Sequence, residues 1–268
     1  MVTSASTSWR LVRSETRVQT RIFLRTPIAA FFTLVLPLFF LVLINLLNSG
    51  VTIDELGGIS IAQWFTPGIA VFGMVTATFT NLAINTANAR DNGVLKRVLS
   101  TPVPMSVHVA GRLLSAVGVG LVSVVIMLTV GSLLFGVEIP WGNLPLVILL
   151  MALGAATFSA MGLALAALTP NARSAPALAN AFILPLSFIS GIFFPLEGAP
   201  EWLQTLASLF PLEPLASAVV ELFNPTLDPG FPWIAVLTMT AWLAAGALLA
   251  VRYFSWEPRA GGSLHGSS

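Results

Sequence analysis

The residues of this chain that could do chemistry are few, and their spacing fits no active site. His108 and His265 stand far apart and cysteine is absent, so no His/Cys metal cluster or disulfide framework can be built. H-E-x-x-H, G-x-S-x-G and the phosphate-cradling G-x-x-x-x-G-K-[ST] are all missing. The one lysine, Lys96, is followed by Arg97 where that loop needs a hydroxyl. No carboxylate pair lies in an apolar stretch, so a proton relay has no titrating group at membrane depth. The chain is therefore expected to hold no catalytic residue, no metal and no cofactor of its own, and to be driven by another subunit.

Three other groupings have a regular spacing. In 90–102, Val94, Leu95, Val98 and Leu99 share a helical face, Lys96 and Arg97 lie off it, and Pro102 ends the turn. Such a ridge rimmed with charge suits a groove on a cytosolic protein, or a linker whose leucines dip into lipid. Near the N-terminus, Arg10, Arg13, Arg17, Arg21 and Arg25 form one stripe, with Leu11, Val12, Val18 and Ile22 off it. That pattern predicts a helix over 8–26 lying on the inner membrane surface, or a plain basic anchor. Thr78, Asn81, Asn85 and Asn88 share a face, where amides either bond between helices or line a wet cavity.

The elements that must position these groups are membrane helices. Hydrophobic types make up 56% of the 268 residues and charged types 9%, against about 25% charged in a soluble domain. So few charges cannot cover a water-soluble globule, which excludes a soluble enzyme. Six uncharged runs, at about 27–48, 64–88, 113–135, 144–169, 174–196 and 231–251, reach the roughly 20 residues that a crossing needs. They do not alternate as barrel strands do. The prediction is an all-α integral membrane protein, one domain over 1–268, with six transmembrane helices.

Charge orders the segments between them. All twelve Lys and Arg fall in the odd-numbered segments, counted from the N-terminus. The even-numbered ones hold Asp54, Glu55, Glu138, Glu197, Glu201, Glu213, Glu221 and Asp228, and no base. Because positive residues stay inside, both termini are expected in the cytoplasm. The segment after the fifth run is too apolar for an exposed loop. Trp202, Leu203, Leu206, Leu209 and Phe210 recur at helical spacing, with Pro200 and Pro211 at the breaks. Over 197–223 this predicts two short outer helices that re-enter the outer leaflet as part of a gate, or lie flat upon it. The tail 260–268 is Gly/Ser-rich and expected to be flexible. The small-x-x-x-small pairs Ala155/Ser159 and Ala156/Ala160 point to close helix packing.

Two segments together resemble the permease subunits of ABC-2-type transporters, exporters of drugs, lipids and polysaccharides. That family carries R-[E/D]-x-G-x-L-x-R-[L/V]-x-x-[S/T]-P between spans two and three, matched by Arg90, Asp91, Gly93, Leu95, Arg97, Thr101 and Pro102. It also carries G-[I/V]-F-[Y/F]-P-[L/I]-x-x-x-P-x-W/F-[L/I] after span five. Gly191, Ile192, Phe193, Phe194, Pro195, Leu196, Pro200, Trp202 and Leu203 match it, and Phe210-Pro211-Leu212 stands for the following N-P-L. The acidic Glu213 and Glu221 depart from the basic residue that often ends this segment.

The resemblance implies roles. Arg90–Pro102, with Lys96 and Leu99, would be a coupling helix between spans 2 and 3 that contacts a cytosolic ABC ATPase. The arginine helix would be the interfacial connecting helix, and Gly191, Phe193, Phe194, Pro195, Pro200, Trp202 and Pro211 would belong to the outer gate. Two ATPase subunits, holding ATP and Mg, would join this chain and a second permease, identical or different, in a prokaryotic inner membrane among lipid and without nucleic acid. The chain would supply path and specificity for outward transport. Eighteen Phe against one Tyr favour a hydrophobic drug or lipid as solute over a glycan, since a sugar path would offer amphipathic stacking surfaces. A non-transporting membrane anchor and an ion-coupled carrier are the rivals.

Overall fold

The computed structural model describes residues 5–53, 57–101, 103–194, 196 and 198–253. Pro102, Pro195 and the tail 260–268, each given a role above, lie outside the described residues. The protein is helical, apart from a two-residue antiparallel ribbon of Thr52–Ile53 and Ile59–Ser60.

Helix α1 spans Ala5–Leu24. The run 27–47, α2, begins at Pro27 and passes through a π-helical turn at Phe31–Val35. Helix α3, Ile61–Asp91, starts where the Ser60 hydroxyl accepts the Gln63 N–H at 3.1 Å. It contains Pro67 and a second π turn at Thr76–Thr80. Then come α4 (Val94–Leu99), α5 (Met105–Phe135), α6 (Leu144–Leu168), α7 (Ala175–Phe188), α8 (Glu201–Leu209), α9 (Leu212–Phe223) and α10 (Trp233–Tyr253).

Helix α3 is the centre of the packing. Every residue from Gln63 to Val75 is buried, as expected of a helix that is apolar all round. Helices α2, α5, α6 and α9 surround it. At two of the helix contacts a glycine faces the backbone of its neighbour. A Cβ on Gly162 of α6 would sit 2.7 Å from the Phe79 carbonyl oxygen of α3. One on Gly246 of α10 would sit 3.0 Å from the Met161 nitrogen of α6. Ala155, Ser159 and Ala160 are buried on α6, in line with the close packing read from their spacing.

Among the described residues four helices are long and apolar enough to cross a bilayer: α3, α5, α6 and α10. The pair α8 and α9 is bent by 96°, and Phe31–Leu47 and α7 are shorter apolar helices. The fifth predicted span, 174–196, is therefore helical for only 14 residues. At 1.5 Å per residue that is about 21 Å, against a hydrocarbon core of about 30 Å. Helix α7 ends at Phe188, and Gly191 takes the left-handed conformation (φ +74°) in the turn that follows. The third predicted span, 113–135, gains eight residues at its start because α5 begins at Met105. The extension adds about 12 Å and carries His108 and Arg112.

The segments with opposite charge separate in space. Arg90 reaches the α6–α7 loop, and α1 packs along the start of α5. At the other end, Gln63 joins Glu138 to Phe223, and Asn143 donates to the Leu222 carbonyl. The fold thus has a basic end and an acidic end.

Candidate functional site

At the basic end α4 is held by a bracket. Arg90 is 1% exposed. Its Nε donates to Asp91 Oδ1 at 2.9 Å, Nη1 to the Ala166 carbonyl at 2.9 Å and Nη2 to the Thr169 carbonyl at 3.0 Å. Both carbonyls lie at the C-terminus of α6, where a helix leaves acceptors without helical partners and where a cation is favoured. Asp91 Oδ2 accepts the Ala172 N–H. One Arg-Asp pair thus fastens the α3–α4 turn to the α6–α7 loop. Gly93 (φ +70°) then reverses the chain into α4.

This bracket divides the residues expected to face a partner. Arg90 and Leu95 are turned inward, Leu95 being 1% exposed. Val94, Lys96, Arg97, Leu99 and Thr101 are exposed and Asp91 and Gly93 are partly so. The apolar face read from spacing is therefore split. A six-residue helix lying against the protein can bury only one side, and Leu95 is the residue on it.

Helix α1 carries Arg10, Arg13, Arg17 and Arg21 exposed, as a stripe that Arg25 continues. Its opposite side is fitted to α5 by polar contacts. Glu15 Oε1 lies 2.8 Å from His108 Nδ1, and Thr20 Oγ1 is 2.8 Å from Ser115 Oγ. A side chain on Gly111 would collide with Glu15. Val18 and Ile22 are exposed and apolar, beside the stripe, and Trp9 is exposed on its other side. The helix therefore has a basic face, a small apolar patch and a face that grips α5.

At the acidic end, Phe193 is the hub of the 189–196 segment. Its ring lies 5.4 Å from Phe72 and from Phe188, and 6.4 Å from Phe40 and from Phe65. Edge contacts of this kind add to the burial term. Ile192, buried beside it, packs against Gly68. Phe194 and Trp202, by contrast, are exposed, Trp202 at 67%. Pro200 precedes α8, and the buried Pro211 sits at the bend between α8 and α9. The bend is pinned where Phe210 stacks on Trp242 (5.9 Å, 24°) and Trp242 Nε1 donates to the Leu209 carbonyl at 3.0 Å. Helices α8 and α9 border a cavity of about 360 Å³, lined by Trp64, Leu196, Gln204, Glu213, Ser217 and Glu221 among others. Ser217 donates to Glu213 Oε1 at 2.8 Å.

The polar face of α3 is used differently from the spacing. Thr78 is fully buried, and its hydroxyl donates to the Met74 carbonyl at 2.8 Å. Threonine in a helix often satisfies itself this way. Asn81 and Asn85 bond to one another and border a small cavity of about 40 Å³ with Gln19 and Arg112.

Two residues with structural roles escaped the sequence reading. Gln63 is buried, donates to the Phe223 carbonyl at 2.7 Å and the Glu138 carbonyl at 3.1 Å, and accepts the Glu138 N–H at 2.8 Å. It stands just before the apolar run at 64–88, where spacing alone reads it as a flank. Arg112 is the other. By sequence it is a basic flank, yet α5 carries it into the protein.

Sequence comparison gives the fold a family. The model of the ABC-2 type transporter family matches residues 10–224. The chain is 30% identical over 148 residues to linearmycin resistance permease protein LnrN of Bacillus subtilis (strain 168), covering 55% of this chain and 38% of that protein. It is 28% identical over 192 residues to inner membrane transport permease YadH of Escherichia coli (strain K12), covering 72% and 73%. A third relative, described as "Probable multidrug ABC transporter permease YbhR" of the same strain, is 22% identical over 204 residues, covering 70% and 55%. With a helical membrane fold and a match across most of its length, the chain belongs to the ABC-2 type transporter family as a permease subunit.

Proposed function

We propose that this chain is the permease of an ATP-driven exporter that moves a hydrophobic drug or lipid outward across the inner membrane. The observation that carries the reading is the bracketed α4 at the basic end, with Val94, Lys96, Arg97 and Leu99 outward. A partner that pushes on α4 pushes through Arg90 on α6 and through Leu95 on the interior, so motion has a rigid route into the spans. ATP and Mg act in the partner. This chain supplies the path, in an assembly of two ATPases and two permeases.

In this reading the chain crosses six times, with both termini cytoplasmic. The segregation of twelve bases from eight acids supports that orientation. Helix α7 and the 189–196 segment make up the fifth crossing. The irregular part is tolerated because Phe193 and Ile192 are packed among other helices. The α8–α9 pair closes the outer end, and the cavity it borders is the exit chamber. The relatives' names, one for linearmycin resistance and one for multidrug transport, favour a drug-like solute.

The test is co-purification of ATPase activity with wild type and with Val94→Glu/Leu99→Glu. Leu95 is avoided because a buried charge there would damage the fold itself. An ATPase that comes with the wild type and is lost from the variant, and whose activity rises with the solute, supports the exporter. If no ATPase accompanies the wild type even after crosslinking, the reading fails and a membrane anchor takes its place.

A further inference from the structure

The basic end holds a second cavity, separate from the outward face of α4 and from the chamber at the acidic end. Its volume is about 310 Å³, within the range of small-molecule sites. Leu95, Leu163, Ala250 and Val251 give it apolar walls, and Arg112 and His108 are the charged or titratable groups on it.

Arg112 is 8% exposed. Its Nε donates to His108 Nε2 at 3.1 Å and its Nη1 to Thr86 Oγ1 at 3.2 Å. Among the described residues Nη2 has no hydrogen-bond partner and the guanidinium has no ion pair. Because Nε2 of His108 accepts from Arg112, the imidazole proton sits on Nδ1 and faces Glu15. Glu15 is occupied there and by Gln19 Nε2 at 2.7 Å, and it does not line the cavity. The cavity is thus bordered by a positive group and by no carboxylate. Glu15 is the nearby counter-charge of Arg112, and Nη2, which no acceptor among the described residues takes and which is not sealed from solvent, is left to meet an anion.

The cavity's level in the membrane says what kind of anion could reach it. Arg112 lies in the part of α5 that precedes the apolar stretch, where a bilayer passes from chains to headgroups. Val251, on the rim, is exposed on the outer side of α10. We propose that this cavity binds an anionic amphiphile, its phosphate or carboxylate on Arg112 Nη2 and its chain along Leu163, Ala250 and Val251. Since Leu95 forms the wall under α4, occupancy changes what the coupling helix rests on. The inference needs only the membrane placement of the chain and does not depend on the exporter reading.

Phosphate-headed amphiphiles could come from the bilayer or from solution, and two probes separate these sources. The full chain in neutral nanodiscs is titrated with phosphatidylglycerol, counted by native mass spectrometry, and with dodecyl phosphate, followed by calorimetry. Phosphatidylcholine and dodecyl maltoside are the uncharged controls. The expected result is one saturable site for at least one anionic probe. That site is weakened about tenfold or more in Arg112→Gln, as loss of a charge-assisted bond requires, and likewise in Ala250→Phe, which fills the cavity and leaves Arg112 in place. Binding of phosphatidylglycerol alone identifies a bilayer lipid, and binding of dodecyl phosphate identifies a free amphiphile. If Arg112→Gln does not fold, Ala250→Phe decides. Equal binding of anionic and neutral probes, or anionic binding untouched by Ala250→Phe, overturns the proposal and leaves Arg112 as a structural tie.

Discussion

Replacing Arg90 with Ala should release the α3–α4 turn and α4 from the rest of the protein. The change removes two charged N–H···O=C bonds, at 2.9 and 3.0 Å, and the 2.9 Å pair with Asp91. Hydrogen bonds to charged groups contribute about 1.5–3 kcal/mol each. Breaking a buried pair by deleting one partner costs about 3–5 kcal/mol. Asp91 is partly exposed and can be rehydrated, so the ion pair adds little beyond the two carbonyl bonds. A local cost of about 3–5 kcal/mol raises the opening constant by roughly two to three and a half powers of ten. Amide exchange reads that constant directly when opening is fast. Hydrogen-exchange mass spectrometry on the permease in nanodiscs should therefore show residues 88–101 and 169–175 losing protection together. Arg90→Lys should lose most of it too, because an ammonium cannot fork to two carbonyls. If only 88–101 loosens, or if protection at both sites changes by less than about threefold, Arg90 does not join the two loops and the bracket is wrong.

Further outcomes follow from the packing. Gly162→Val should lower the melting temperature, at a cost of about 1–3 kcal/mol for overpacking against the Phe79 backbone; Gly118→Ala, where nothing lies within 4 Å, should not. Gln63→Leu strips three bonds from the acidic end and should speed exchange of 136–140 and 222–226 while leaving 88–101 protected; unaltered exchange at both would disprove its role as a tie. Phe193→Ala, which empties the centre of a five-ring cluster, should cost about 2–3 kcal/mol because the site is half-buried. In proteoliposomes lacking ATP it should let a small dye leak, and a tight Phe193→Ala vesicle would remove Phe193 from the gate.

Much of this protein was legible from one dimension. Apolar runs without charge dictated membrane helices, because an unpaired backbone cannot lie in hydrocarbon. The separation of bases from acids ordered the segments, and the structure gathers them at opposite ends. The arginine stripe of α1 and the short helix after Gly93 followed from 3.6-residue spacing. What spacing could not decide was which side of a short helix meets the protein. Arg90 bonds residues 76 and 79 positions away, and no local pattern encodes a partner at that distance. The inward turn of Leu95, the early end of α7 at Phe188, the tie made by Gln63 and the burial of Arg112 are of the same kind. Hydropathy says that a segment leaves water. Whether a long polar side chain on it is carried inside depends on acceptors brought there by other segments, and only the tertiary structure puts them in place.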